Sequence, residues 1–277
     1  MNVAELKSGT ATAARVQSSE SAHWYTQTGE PAYEQPSADG KRMVKTTLAH
    51  ARKLSLLPSV TTVLQELSKP QLTSWLIEQA VLAAITTPRK DGETDDAFIH
   101  RVLQVEKQQD AERDAAAAFG TNTHAALESA LNAKLGGKEP RLSDDLDPRI
   151  RLCVEAVLKL PLLQGRVVAT ESCVTGPGYA GKYDLAVEHE TEIVICDFKT
   201  TKKIPEESYW EHKMQLAGYA NAFGNTGSKR VTTANIYIST REPGLVKVCK
   251  NEEWAKAFEA FFHIVKYWQI AKNYFPN

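Results

Sequence analysis

The 277-residue sequence lacks the marks of several large functional classes. It has no apolar run long enough to span a membrane and no hydrophobic core in its first residues, where Glu5 and Glu20 with a single Arg15 also fit a transit peptide poorly. A cytoplasmic location is the expectation, with no membrane partner. Its four cysteines, Cys153, Cys173, Cys196 and Cys249, sit among apolar neighbours with no C-x-x-C pair, so they read as buried free thiols rather than disulfides or a zinc site. H-E-x-x-H is absent, so a zinc peptidase is not supported. Charge of neither sign is in excess, since 33 Lys and Arg stand against 34 Asp and Glu. That balance argues against blanket electrostatic binding to nucleic acid and leaves room only for a local basic groove. The phrase at 176–181, GPGYAG, satisfies G-x-G-x-x-G, but a strand follows where a dinucleotide fingerprint needs a helix. Its glycines read instead as a tight loop delivering the next strand.

What the sequence does contain is a stretch, residues 181–203, that places acidic and basic groups inside an otherwise apolar pair of strands. Residues 182–187 and 192–198 carry the β-branched and apolar side chains of strands, with the polar tetrad 189–192 as the loop between them. If the loop is centred on Glu190 and Thr191, an antiparallel register sets Asp184 across from Asp197, side chains roughly 5 Å apart on one face. At about 4 Å such like charges repel by about 4 kcal/mol at an effective dielectric of about 20, so a divalent cation between them is the simplest explanation. Lys199 follows Asp197 by two residues, leaves the strand on the same face about 6 to 7 Å further along, and points at whatever the cation holds.

Along the rest of the chain, residues 1–22 are small and polar and read as a disordered tail. Residues 23–57 suggest a small β-hairpin turning at Asp39-Gly40 and feeding a basic segment with Lys41, Arg42, Lys45, Arg52 and Lys53. These lysines and arginines could touch a phosphate backbone, although a solvated charged face is the commoner meaning. Pro58-Ser59 and Pro70 open two helices that read together as a helical hairpin, with Val60, Leu64, Leu67, Trp75, Leu76 and Ala80 as core positions. Residues 94–135 are strongly helical, with Gly120-Thr121 expected to break and restart the helix. His124 and Glu128, four apart, share a face of the second part. A helix from about Asp147 precedes an apolar strand carrying Glu171. Beyond Lys203, Pro205 is expected to open a helix on which Gln215 and Tyr219 are four apart. A closing hairpin and a final helix from Asn251 follow, with Trp254, Phe258, Phe261, Val265 and Trp268 as its core face.

Asp184, then Asp197-Phe198-Lys199 on the next strand, resembles the PD-(D/E)XK nuclease superfamily. Tyr183 rather than Pro precedes the first Asp. The G-x-x-D spelling from Gly181 to Asp184, the G-T-x-x-H-x-x-x-E from Gly120 to Glu128 and the Q-x-x-x-Y from Gln215 to Tyr219 resemble its RecB-like exonuclease branch. The LPSVTTVL phrase and its companion helix look like phage exonucleases and the mitochondrial genome maintenance exonuclease.

The resemblance implies an α/β fold, a central mixed sheet of roughly five strands flanked by helices with the restriction-endonuclease-like core at 120–277, preceded by a hairpin and helical region at 23–119. It implies Mg²⁺ or Mn²⁺ held by Asp184, Asp197 and the carbonyl of Phe198, with His124 and Glu171 completing or extending the site. Glu128 stands between a further ligand and a solvated residue. Lys199 would serve the attacking water or the phosphate, and Thr200, Lys202, Lys203, Gln215 and Tyr219 would contact substrate. The implied activity is exonucleolytic hydrolysis of DNA, from ends of single strands, in company with a single-strand-binding or recombination protein. A metal-dependent endonuclease of the same fold and a non-catalytic DNA-binding module are the alternatives.

Overall fold

The computed structural model describes residues 23–276 other than 38, 69, 225, 226 and 252. The expected tail at 1–22 lies outside the described residues, as do the side chains of Trp75 and Leu76. The centre is a five-stranded mixed sheet of β5 (Arg166–Gly176), β6 (Tyr179–Glu188), β7 (Glu192–Thr201), β8 (Arg230–Ser239) and β9 (Val246–Asn251), in that spatial order. β7 and β8 run parallel and every other pair is antiparallel. The parallel pair lies in the middle because its runs, IVIC on β7 and ANIYI on β8, are buried on both faces.

Alternation along β7 divides the core in two. Ile193 and Ile195 face Met214, Leu216 and Ala217 of α6 (Trp210–Phe223), with Phe261, Val265 and Trp268 of α7 (Ala255–Lys272) behind them. Val194, Cys196 and Phe198 face the opposite layer, made by Leu127 and Leu131 of α4 (Asp95–Leu135) and Ile150, Val154 and Val157 of α5 (Pro148–Leu158). Each fully buried aliphatic side chain here contributes about 1.5 to 3 kcal/mol relative to exposure. By the same alternation Asp197 and Lys199 belong to the face under α6.

The N-terminal region wraps the β5–β6 side. β1 (Trp24–Tyr25) pairs with β4 (Leu57–Pro58), and β2 (Glu34–Pro36) with β3 (Met43–Lys45) across the Asp39-Gly40 turn. The basic segment that follows is a short helix, α1 (Leu48–Leu54), closed by a capping box between Thr47 and His50. Ser59 caps α2 (Val60–Leu64) through its hydroxyl, which accepts the N–H of Thr62. α2 is packed on α6 and α7, whereas α3 (Pro70–Thr86) is packed on α4, so the two are not the expected hairpin. The difference is apolar: Val60, Val63 and Leu64 all face the α6–α7 core.

Three expected boundaries also move. Gly120 does not break α4, which runs unbroken from Asp95 to Leu135, so a division at 119/120 falls inside a helix. Its glycine is needed for proximity, since a Cβ there would stand 2.9 Å from Thr200 Oγ1 at the end of β7. Pro205 does not open α6, which starts at Trp210, because Lys247 of β9 donates to the carbonyls of Pro205 and Glu206 at 3.1 and 2.6 Å and holds them in a loop. The last helix begins at Ala255, since Asn251 still pairs with Thr233 in the sheet.

Gly181 of β6 shows the same demand for proximity, because a Cβ there would stand 2.4 Å from the ring of Tyr219 on α6. The ring is buried and has nowhere to go. Gly181→Ala is therefore expected to cost about 1 to 3 kcal/mol by overpacking. Urea denaturation checks this, and an unchanged midpoint would contradict the packing described.

Candidate metal centre

The β6–β7 ladder runs from Glu188↔Ile193 to Leu185↔Cys196, centred on Glu190 and Thr191 as expected. Beyond Leu185 the pairing gives way to a side chain: Asp184 Oδ2 accepts the backbone N–H of Phe198 at 2.7 Å. On the other flank, Glu171 of β5 falls between the pairs Thr170↔Leu185 and Ser172↔Tyr183, beside Asp184. Its φ is 44°, a left-handed conformation inside a strand. Such a residue costs on the order of 1 to 3 kcal/mol and persists only where its surroundings impose it. The carboxylate of Glu171 pairs with the ammonium of Lys182.

The third element is α4, brought close by Gly120. One turn after it, His124 presents Nδ1 at 3.6 Å from Asp184 Oδ2 and sets its ring edge-on to Phe198 at 5.9 Å between centroids. One donor atom from each of His124, Glu171 and Asp184 lies within 4.8 Å of the others. These residues line an open cleft of about 490 Å³ with Gly120, Thr121, Ala125 and Glu128. An imidazole and two carboxylates at this spacing suit a cation that prefers oxygen ligands.

Asp197 stands behind that trio, only 4 % exposed. Its Oδ1 accepts from Gln215 Nε2 at 3.1 Å, while its Oδ2 faces the Lys199 ammonium at 2.9 Å as an ion pair without an aligned hydrogen bond. Lys199 donates to Gln215 Oε1 at 2.9 Å, and Gln215 Nε2 donates also to the Tyr219 hydroxyl at 3.0 Å. Both N–H groups and the carbonyl of the Gln215 amide are thus engaged within the protein. Gln215 and Tyr219 were expected to contact substrate. Both are buried, and they reach the site through Asp197 and Lys199 rather than through the cleft. Helical spacing puts the two on one face but does not say that the face lies against the sheet.

The other expected residues take up varied places. Phe198 gives its backbone N–H to Asp184 and its ring to the edge-on contact with His124. Thr200 abuts Gly120, and Glu128 is exposed on the wall of the cleft. Lys202 and Lys203 are exposed just past β7, outside the cleft lining, where the Lys203 carbonyl accepts from Thr201 Oγ1 at 3.0 Å. One feature escaped sequence reasoning altogether: the positive φ of Glu171, for which no glycine or asparagine gave a signal.

The titrating groups follow from burial and mutual charge. Burial, then the charge of Asp197, pushes the Asp184 carboxyl well above the usual carboxylate range, against the Phe198 N–H. Burial lowers His124, and Lys199 lowers it further against the opposing pull of Asp197, so the ring is neutral at neutral pH. For Lys199 burial works against the charge, yet Asp197 outweighs it and the ammonium is held more firmly than usual.

No family model and no curated protein matches the chain. Among solved structures, it is similar to SSO0001, at 19% identity and TM-score 0.27 over 43% of this chain and 57% of that one. A putative exonuclease from Eubacterium rectale matches at 11% identity and TM-score 0.36, over 54% of this chain and 66% of that one. An alkaline exonuclease from Laribacter hongkongensis matches at 12% identity and TM-score 0.26, over 52% and 80%. The chain thus spans less than two thirds of the length of SSO0001 and of the Eubacterium rectale protein.

Asp184 also fixes a pH dependence. Its folded value lies above its unfolded one, so between the two the folded chain keeps a proton that the unfolded chain has lost, and stability falls as pH rises through that window. Denaturation in EDTA from acid to alkaline pH is expected to show this decline, and Asp184→Asn to flatten it. A decline unchanged in the variant would contradict the assignment.

Proposed function

We propose that the chain is a metal-dependent deoxyribonuclease of the PD-(D/E)XK type, RecB-like branch, acting as an exonuclease on single-stranded DNA. The observation that carries this reading is the convergence of His124, Glu171 and Asp184 within 4.8 Å, next to the Asp197–Lys199 pair. The order of motifs in the sequence supports it too. The donor set fits Mg²⁺ or Mn²⁺: a raised Asp184, a strained Glu171 and an Asp197 oxygen without an aligned donor are all costs that a cation would relieve. His124, Glu171 and Asp184 would hold it, with Asp197 and the Phe198 carbonyl beside them. When bound, such an ion lowers the pKa of water and neutralises charge developing on a phosphoryl oxygen.

The chain's own groups do the rest. The Lys199 ammonium would donate a hydrogen bond to a phosphate oxygen or the attacking water, and Asp197 keeps it charged. Gln215 ties Lys199 to Asp197 and is itself held by Tyr219, so the pair cannot drift apart. Neutral His124 offers a lone pair, and Glu128 stands on the cleft wall. Thr200, Lys202 and Lys203 would grip the backbone of the strand. The requirement for an end rests on α3 and the long α4, which extend beyond what the sheet needs and would wall a passage too narrow for a duplex.

End-labelled linear and covalently closed circular single strands, each with Mg²⁺, Mn²⁺ or EDTA, test the reading. Metal-dependent loss of the linear strand is expected, with Lys199→Ala slower by about 100-fold or more. A Lys199→Ala protein cleaving at the wild-type rate would sink the mechanism. Equal rates on linear and circular strands would leave an endonuclease, and binding without any cleavage a DNA-binding module.

A further inference from the structure

Beside the cleft lies a second group of side chains that the proposed chemistry does not use. Lys182 sits two residues before Asp184 on β6, and its ion pair with Glu171 places its ammonium at the rim of the candidate metal centre. The start of the described chain is pinned next to it. His23 donates its backbone N–H to Thr62 Oγ1 at 3.2 Å, and its carbonyl accepts from the N–H of Ser59 at 2.8 Å. Ser59 in turn bridges to Ala180, two residues from Lys182 on the same strand. The exposed His23 ring stacks on Tyr33, with centroids 4.6 Å apart and planes at 29°. Tyr33 is itself fixed, since its hydroxyl shares a 2.7 Å hydrogen bond with that of buried Tyr25.

An exposed imidazole backed by a fixed, half-buried phenol, with the charges of Lys182 and Lys45 acting on it, matches the way proteins hold single-stranded nucleic acid, bases on rings and phosphates on cations. We propose that His23 and Tyr33, with Lys182 and Lys45, form a subsite for the stretch of single strand flanking the cleft, with one base stacking on His23 and adjacent phosphates meeting the lysines. The subsite rests on the nuclease reading of the neighbouring centre and adds to it where the strand leaves. Partial burial, then Lys182 and Lys45, lower the pKa of His23, so the ring is neutral at neutral pH and both ammonium charges act on it. A neutral ring stacks on a base without competing for the phosphates. Lys182 has a further property: in the free chain its charge is shared with Glu171, and a phosphate offers it a second partner.

Fluorescence anisotropy in EDTA, with a labelled single-stranded oligonucleotide and its abasic counterpart, tests the subsite without turnover. His23→Ala is expected to bind the base-bearing strand about tenfold more weakly and the abasic strand unchanged. Lys182→Met is expected to lower the slope of log K against log salt by about 0.7, one single-strand phosphate. A His23→Ala protein with a native denaturation curve and wild-type affinity for the base-bearing strand would overturn the subsite. If the wild type cleaves with metal while both variants bind as it does, the subsite alone fails. A wild type that neither binds nor cleaves any nucleic acid removes the nuclease reading along with it.

Discussion

Two carboxylates, Asp184 and Asp197, meet where β6 and β7 part, and the cost of keeping them there governs what surrounds them. Asp197 is buried and Asp184 meets water only at the cleft, so each must find compensation inside the protein. Asp184 takes the N–H of Phe198, which would otherwise have no ladder partner on that side. Asp197 takes the Lys199 ammonium and a Gln215 amide N–H. Compensation stops short of complete: burial and Asp197 still push the Asp184 carboxyl up, and Glu171 adds a third carboxylate from a strained backbone. What is left is a cluster of carboxyl oxygens at a cleft, with a neutral imidazole beside it.

The scaffold brings two helices close to the sheet around the site. Gly120 lets α4 approach the end of β7, which sets His124 over Phe198 and toward Asp184. Gly181 lets the ring of Tyr219 lie against β6, which sets Gln215 between Asp197 and Lys199. The helices that these glycines admit, α4 and α6, lie on opposite faces of the sheet, and the site sits between them. Packing and chemistry are therefore tied, because a methyl group at either position would press on an element that carries a site residue.

Much of this was legible in the sequence, for reasons that are physical. A period of two with a symmetric polar loop fixes a hairpin register, so the sequence could set Asp184 near Asp197 and put Lys199 on the same face as Asp197. The five-stranded mixed sheet and its flanking helices were implied by the family resemblance, and the sheet is observed. The misreadings share another cause. Gly120 reads locally as a helix breaker, but its role is a tertiary approach to Thr200 that only the fold creates. Pro205 reads as a helix start, yet Lys247, more than forty residues away, holds its carbonyl in a loop. Gln215 and Tyr219 read as a pair on one helix face without revealing that the face is buried, and the backbone strain at Glu171 leaves no trace in residue type.

If the carboxylates and His124 form a cation site, titration of Mn²⁺ into the metal-free chain by calorimetry reads its occupancy. Saturable binding is expected at neutral to alkaline pH, with proton release seen as a dependence of the heat on buffer ionisation, because Asp184 must give up its proton. Asp184→Asn should abolish the uptake, His124→Ala should weaken it, and Lys199→Ala should retain it. A wild-type chain that takes up no Mn²⁺, or an Asp184→Asn chain that binds it equally well, would contradict the account.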